Sequence, residues 1–452
     1  MAMQAPAETL AYVILLNASR DGRPDALGCV DVDPSSKSYG QIVGKVDMPN
    51  TGDELHHFGW NACSACLSPY APHPHVERRY LLLPGIASSR IYILDTKPDP
   101  RSPKLVKTIE AKEIAERAGY SNPHTVHCGP EGIYISALGN GDATGGPGGI
   151  FMLDHESFEI MGRWEIDRGP QYYAYDFWWH LGHDVMVTSE WGTPPMVKSG
   201  VVPEKLLAGE YGNGLNFWDL RRRKHIQRIE LGKQYQMVLE LRPAHDPTQA
   251  WGFAGVVISL EDLSSSIWLW HKVGDRFEAR KVIDIPAEAA DPDQLPDLLK
   301  GFKAAPPLLT DINLSLDDKT LYASCWGTGR FLQYDVSDPF APVLKSDIRL
   351  GGIVRRASHP ARPDVPLSGG PQMVELSRDC KRAYFSNSLF SPWDRQFYPD
   401  GIKGWMVKAD VQDDGTIALD ERFFVDADAH GLRPHQIHLE GGDASSDSYC
   451  FP

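Results

Sequence analysis

The feature that most restricts what this chain can fold into is a faint sevenfold recurrence. The stretches "HHFGWNACSAC", "PHTVHCGPEGIYIS", "DFWWHLGHDVMVTS", "LRPAHDPTQAWGFA", "LLTDINLSLDDKTLYAS", "PQMVELSRDCKRAYFS" and "PHQIHLEGGDASSD" align on one entry position. That position is occupied by His57, His124, Phe177, Arg242, Thr310, Gln372 and His435, with steps of 67, 53, 65, 68, 62 and 63 residues. Four short strands fit in each step, and a near-regular period of that size is what a β-propeller produces. Runs such as "SRIYILD", "GIYISAL", "DVMVTSEW" and "TLYASCW" read as strands bounded by turn residues, which the 41 Gly and 35 Pro supply. Helical patterning is confined to 110–120, 203–211 and 292–302. The expected fold is therefore all-β: a seven-bladed β-propeller with short helical insertions between blades, forming a single domain over residues 1–452. The apolar run "LAYVILL" reads as a first strand available to complete the last blade.

In a propeller the innermost strands converge on a central channel, so residues far apart in sequence meet there. Histidine recurs at the entry position, and again three residues later as His127, His180, His245 and His438. Neutral imidazole binds copper, zinc, iron and nickel, and a tight site normally draws three or more ligands from different elements. His56, His57, His124, His127, His245 and His435 make up the candidate set. Any one of them taken singly also reads as an ordinary strand-end residue bonded to backbone. Glu190 and Glu375 are candidate carboxylates for orienting a ligand imidazole, and a surface pair or turn cap is the plain alternative. Asp176 and Trp179 lie in "YYAYDFWWH", a run read mostly as blade packing, and are candidates to face the channel.

The "CSAC" motif holds Cys63 and Cys66 without the βαβ context of a redox disulfide and without a second CxxC for structural zinc. Cys63 stays open between a reactive or ligating role and a buried thiol, while Cys128 reads as core. Seven cysteines are too few for a disulfide scaffold, and the odd number leaves a thiol over. A net charge of -15 argues against nucleic acid and anionic membrane as partners. No window reaches the length of a membrane span, and the N-terminus lacks the basic start of a leader, so the expectation is a soluble cytoplasmic protein. The glycine-rich "GNGDATGGPGG" does not sit between a strand and a helix, so it reads as a hairpin loop and not a phosphate cradle.

The motifs "MPNTGDELHHFGWNACSAC", "PHTVHC", "YDFWWH", "TSEWG", "LTDINLSLDDKTLYASCW", "GGPQMVELSRDCKRAY" and "WDRQFYPDG" resemble those of the selenium-binding protein / methanethiol oxidase family. The resemblance runs from about Ala11 to the C-terminus. It implies the same propeller, and a copper-dependent oxidase that turns methanethiol, oxygen and water into formaldehyde, hydrogen sulfide and hydrogen peroxide. Its substrates would be a small thiol and oxygen. Carried over residue by residue, His56, His57, His124, His127, His245 and His435 are its copper candidates, and Cys63 matches the cysteine associated with selenium. Cys63 and Glu375 are the candidates for moving protons. One departure is visible: relatives usually read "GGDCSSD" where this chain has "GGDASSD", placing Ala444 where they have cysteine. A non-catalytic selenium or sulfur carrier working through Cys63 is the rival reading.

Overall fold

The strand "LAYVILLN", Leu10–Asn17, is apolar almost without interruption because both its faces are covered. It pairs antiparallel with Ala26–Asp31 on one side and with Leu432–Leu439, from the other end of the chain, on the other. Together with Ile42–Asp47 these strands form one four-stranded sheet, so three N-terminal strands, not one, complete the last blade. In this computed structural model the described residues are 6–17, 22–62, 76–129 and 131–447. Six further four-stranded sheets bring the total to seven, one per repeat.

Within each blade the chain steps outward strand by strand through antiparallel hairpins. The inner strands of blades 1 to 7 are Gly59–Trp60, Tyr120–Cys128, Phe177–His180, Tyr235–Pro243, Leu309–Leu314, Val374–Leu376 and Leu432–Leu439. Inner strands touch between blades 1 and 2 and from blade 3 through to blade 7. Large side chains fill the wedges between sheets: Trp164, Trp178, Phe217, Trp270 and Phe277 pack between blades 2, 3 and 4, and Phe331, Phe385 and Trp405 between blades 5 and 6. Phe217 and Phe277 stack at 4.1 Å.

The helices are short: α1 (Ala111–Arg117), α2 (Pro194–Val197), α3 (Pro203–Leu207), α4 (Asp297–Lys300), α5 (Ser391–Phe397) and α6 (Ala444–Asp447). The three expected insertions appear as α1, α3 and α4. Residues from α2, α4 and α5 join Tyr175, Trp191, Phe390 and Tyr398 in one apolar cluster. That cluster forms a lid over one end of the channel.

Candidate metal centre

Several inner strands begin with an irregularity that re-aims them. Glu54, Asn122, Met237 and Leu308 all have positive φ, between 50° and 64°, a conformation a non-glycine residue adopts only when its surroundings hold it there. Asn122 is held by its Nδ2 donating to Ile86 O at 2.6 Å and its backbone N–H donating to Ser89 Oγ at 2.8 Å. Two residues after each kink lie His56, His124, Leu239 and Thr310, and β-bulges follow in blades 2, 4 and 5. Bulges of this kind turn side chains toward a chosen direction, here the channel axis. Three residues further along, roughly 10 Å at about 3.3 Å per residue, lies a second level.

At the first level, under the lid, four imidazoles meet. Ring centroids are 4.0 Å apart for His56 and His435, 4.2 Å for His57 and His124, 4.9 Å for His56 and His124, and 5.0 Å for His56 and His57. Ring nitrogens of His56, His57 and His124 all lie within 4.8 Å of one another, and all four rings are buried. His435 Nδ1 is 2.7 Å from Ser388 O. A carbonyl only accepts, so Nδ1 carries the proton and the neutral ring keeps a lone pair on Nε2. His124 Nδ1 likewise donates to Thr125 Oγ1 at 3.0 Å, while that hydroxyl donates to Tyr175 O at 3.4 Å. His56 Nδ1, His57 Nε2, His124 Nε2 and His435 Nε2 are buried and have no hydrogen-bond partner. Burial, reinforced by the neighbouring imidazoles, holds the pKa of His56, His57 and His124 well below the ordinary range. Burial takes His435 down to about 4. Buried polar atoms are normally satisfied. These four unsatisfied nitrogens, of which His56, His57 and His124 have the mutual spacing of metal ligands, make a candidate donor set for a borderline or soft metal ion, and its chemistry fits copper.

Beside them stands a buried acidic group. Glu240 Oε1 accepts a hydrogen bond from Tyr175 Oη at 3.1 Å and lies 3.9 Å from His57 Nε2. Arg242 bridges Glu240, at 3.2 Å, and Asp311, at 3.3 Å, and approaches Asp176 at 3.7 Å. Three carboxylates share one guanidinium out of water, so burial together with Asp176 pushes Glu240 up to about 8. Burial takes Asp176 to about 6 and Asp311 well above the carboxylate range.

At the second level His438 is saturated instead. His438 Nε2 donates to Phe58 O at 2.9 Å, and its Nδ1 faces Asp443 Oδ2 at 2.9 Å and Glu375 Oε2 at 3.3 Å. Burial opposes the charge on His438, but the two carboxylates outweigh it and push the pKa up to about 10. Glu375 also accepts from Ser445 Oγ and from Leu376 N. Glu375, His438 and Asp443 lie as close together as metal ligands do. With hydrogens on both its nitrogens, His438 makes this an ion-pair triad and not a binding site. The triad also steadies the first level, since Phe58 follows His57 and its N–H donates to Gln436 Oε1 at 2.5 Å.

The sequence-predicted residues divide accordingly. His56, His57, His124 and His435 come together. His127 lies at the second level, its ring 3.7 Å from Trp178 and its Nε2 3.7 Å from Asp176. His245 lies elsewhere: its Nδ1 is 2.7 Å from Asp318 Oδ1 at the rim. The cause is register. In blade 4 the kink at Met237 makes Leu239 the counterpart of His124 and Arg242 that of His127, so His245 falls beyond the strand end at Pro243. In blade 3 the alignment on Phe177 and His180 is off by two, because Tyr175 packs on His124 at 4.2 Å and Trp178 on His127. His180 instead neighbours His183 at 4.9 Å. Glu375 orients an imidazole, but that of His438. Glu190 is taken by Arg228 at 2.8 Å and by Asn216 at 2.9 Å, and orients none of the four histidines. Cys63 and Cys66 lie outside the described residues. Ala444 packs with Val374 and Leu376. Glu240 and Tyr175 escaped the sequence reading; the acid inside the apolar run "MVLELRP" was the available signal.

A propeller whose channel gathers buried, neutral imidazoles beneath a lid defines a class of β-propeller with a candidate metal site. The family model of the 56 kDa selenium-binding protein matches residues 1–450, and the chain belongs to that family. It is 40% identical over 470 residues to a methanethiol oxidase of Xenopus laevis, covering 99% of this chain and 96% of the relative. It is also 40% identical, over 471 residues, to selenium-binding protein 2 of Mus musculus, with the same coverage. An X-ray structure of a hypothetical selenium-binding protein from Sulfolobus tokodaii superposes with a TM-score of 0.95 at 56% identity, covering 100% of this chain and 98% of that one. No helix among the described residues is long and apolar enough to cross a membrane.

Proposed function

We propose that this protein is a methanethiol oxidase that uses copper held by His56, His57, His124 and His435, converting methanethiol, oxygen and water to formaldehyde, hydrogen sulfide and hydrogen peroxide. The observation that carries the reading is the set of four buried imidazole nitrogens without hydrogen-bond partners. Relatives named methanethiol oxidase, similar over nearly the whole chain, supply the thiol. Copper bound there would supply an acceptor for a thiolate and a redox couple shared with oxygen.

The chain's own groups supply the surroundings. Ser388 O and Thr125 Oγ1 fix the tautomers of His435 and His124, which keeps Nε2 of each ring as the lone-pair atom. Tyr175, Trp191 and Phe390 wall the rings and exclude water, with centroids 4.2, 6.3 and 5.9 Å from the nearest histidine. Glu240, beside His57 and tied to Tyr175 Oη, is a proton-exchanging group next to the four rings, raised to about 8 and so mostly protonated at neutral pH. A cytoplasmic setting suits Cys29, Cys325 and Cys380, which are thiols.

The test is oxygen uptake by untagged, copper-loaded protein given methanethiol, with hydrogen sulfide and peroxide measured together. Release of both at matching rates supports the reading, and absence of thiol-dependent oxygen uptake overturns it. A carrier working through Cys63 would instead lose selenium or sulfur binding on Cys63→Ser.

A further inference from the structure

The lid helix α5 reaches the four histidines through one peptide plane. Ser388 O, which accepts the His435 Nδ1 hydrogen at 2.7 Å, belongs to the same rigid unit as the Leu389 N–H. In a trans peptide these two groups point in opposite directions. The Leu389 N–H donates to Asp394 Oδ1 at 3.0 Å, so imidazole and carboxylate hold the plane from its two edges. Ser388 N–H donates to Pro434 O at 3.2 Å, which fixes how near this segment lies to the strand of blade 7. How the next peptide plane is turned is left to Asp394 and His435.

Asp394 lies on α5 and is 2% exposed. Four donors face its two oxygens. Oδ1 accepts the N–H of Leu389 and, at 3.4 Å, that of Phe390, while Oδ2 accepts from Ser388 Oγ at 2.6 Å and from Arg433 Nη1. Only the ionised acid accepts on both oxygens without a hydrogen of its own in the way. An amide of the same shape would turn an NH2 group against one pair of donors. Arg433 Nη2 also donates to Ser391 Oγ, and the Ser391 N–H donates to Glu54 Oε1 at 2.7 Å. The first turn of α5 thereby ties the inner strand of blade 7 to the segment leading into His56, whose ring lies 5.9 Å from that of Phe390.

A metal-bound imidazole commonly gives its other ring hydrogen to a carboxylate or a carbonyl, which fixes its tautomer and raises its basicity. Here the carbonyl is itself backed by a carboxylate, and hydrogen bonds in series polarise one another. We propose that Asp394 is a positioning residue of the candidate metal centre: acting through the Ser388–Leu389 peptide, it sets the tautomer and orientation of His435 and makes the lid helix and the histidines one hydrogen-bonded unit. The proposal rests on the histidines being the metal site, and its test separates the two ideas.

Nitrogen-15 NMR of metal-free protein reads the tautomer directly, with His435→Ala identifying the signal. Asp394→Asn, folded by circular dichroism, is expected to exchange the single Nδ1–H form of His435 for a mixture, and to weaken copper binding about tenfold or more in competition with a chelator. Glu8→Gln is the control for lost stability alone. It disturbs a buried carboxylate that accepts from Arg382 and Tyr384 in blade 6, and is expected to leave both readouts unchanged. A single Nδ1–H form or full copper affinity retained in Asp394→Asn overturns the proposal, as do equal losses in Glu8→Gln. Wild-type protein gives a reading that needs no variant to fold: on saturation with zinc, a diamagnetic probe, the Leu389 amide resonance is expected to move, and an unmoved resonance overturns the relay. A chain that takes up neither metal while Asp394→Asn still mixes the tautomers overturns the metal reading and leaves the hold of Asp394 on His435 standing.

Discussion

His435 and His438 lie three residues apart on one inner strand, both buried, and the fold treats them oppositely. His435 donates from Nδ1 to a carbonyl and leaves Nε2 unsatisfied, and burial depresses its pKa to about 4. His438 has hydrogens on both nitrogens, facing a carbonyl on one side and two carboxylates on the other, and is pushed up to about 10. The first is a ligand in waiting and the second is a buried cation. Residue type and burial are shared, so the partners alone decide the role.

The sharpest way to break this contrast is to remove one histidine from each level. His124→Ala is expected to weaken copper binding by about 100-fold or more, whereas His127→Ala is expected to leave it within about threefold, both read by competition with a chelator. Equal losses would erase the distinction between the levels. His438→Leu is expected to keep the ligand nitrogens but leave Glu375 and Asp443 buried without their cation, at a cost of about 3–5 kcal/mol in chemical denaturation. A loss under about 1 kcal/mol would mean that the triad is not ion-paired.

The pH dependence sharpens the same point. The folded-state pKa of His438 exceeds the unfolded value near 6.5, so its contribution to stability is fully present below about 6.5 and is lost as pH rises through about 10. Glu240, a carboxyl raised to about 8, also makes the fold less stable as pH rises from about 4.5 toward 8. Glu240→Gln, which mimics the protonated acid, is expected to lessen the slope of the lower part of that profile, to which Asp176 also contributes, and leave the upper part. Thermal melts from pH 5 to 10 check both. The smallest effect is expected from His245→Ala, which removes one hydrogen bond to Asp318 while backbone N–H groups of His245 and Asp246 still donate to it, costs about 1–2 kcal/mol, and leaves metal content unchanged.

Much of this was legible in the sequence because propeller blades repeat. The seven inner strands announced themselves through spacing, and the four histidines at 56, 57, 124 and 435 through histidine recurrence. Register within a strand was not legible. The backbone kink at Met237 lies at a residue with no turn signature, and the Asn-Pro signal at 122–123 marks a kink inside a strand, not its end, so aligning histidine on histidine placed His127 and His245 with the others. Tyr175 and Glu240 were hidden for another reason: an aromatic or a lone acid inside a β-run looks like packing until the fold shows what it faces. The closing sheet went further than read, taking three strands from the N-terminus, because a single apolar run marks a strand but not the number that follow it.

The central claim is that the unsatisfied imidazoles, and not the saturated triad, hold the metal. Anomalous diffraction at the copper edge from crystals of copper-loaded protein tests it most directly. The account predicts one peak per chain, bounded by His56, His57, His124 and His435. A peak beside Glu375, His438 and Asp443, or at Cys63, with none among the four histidines, would contradict it.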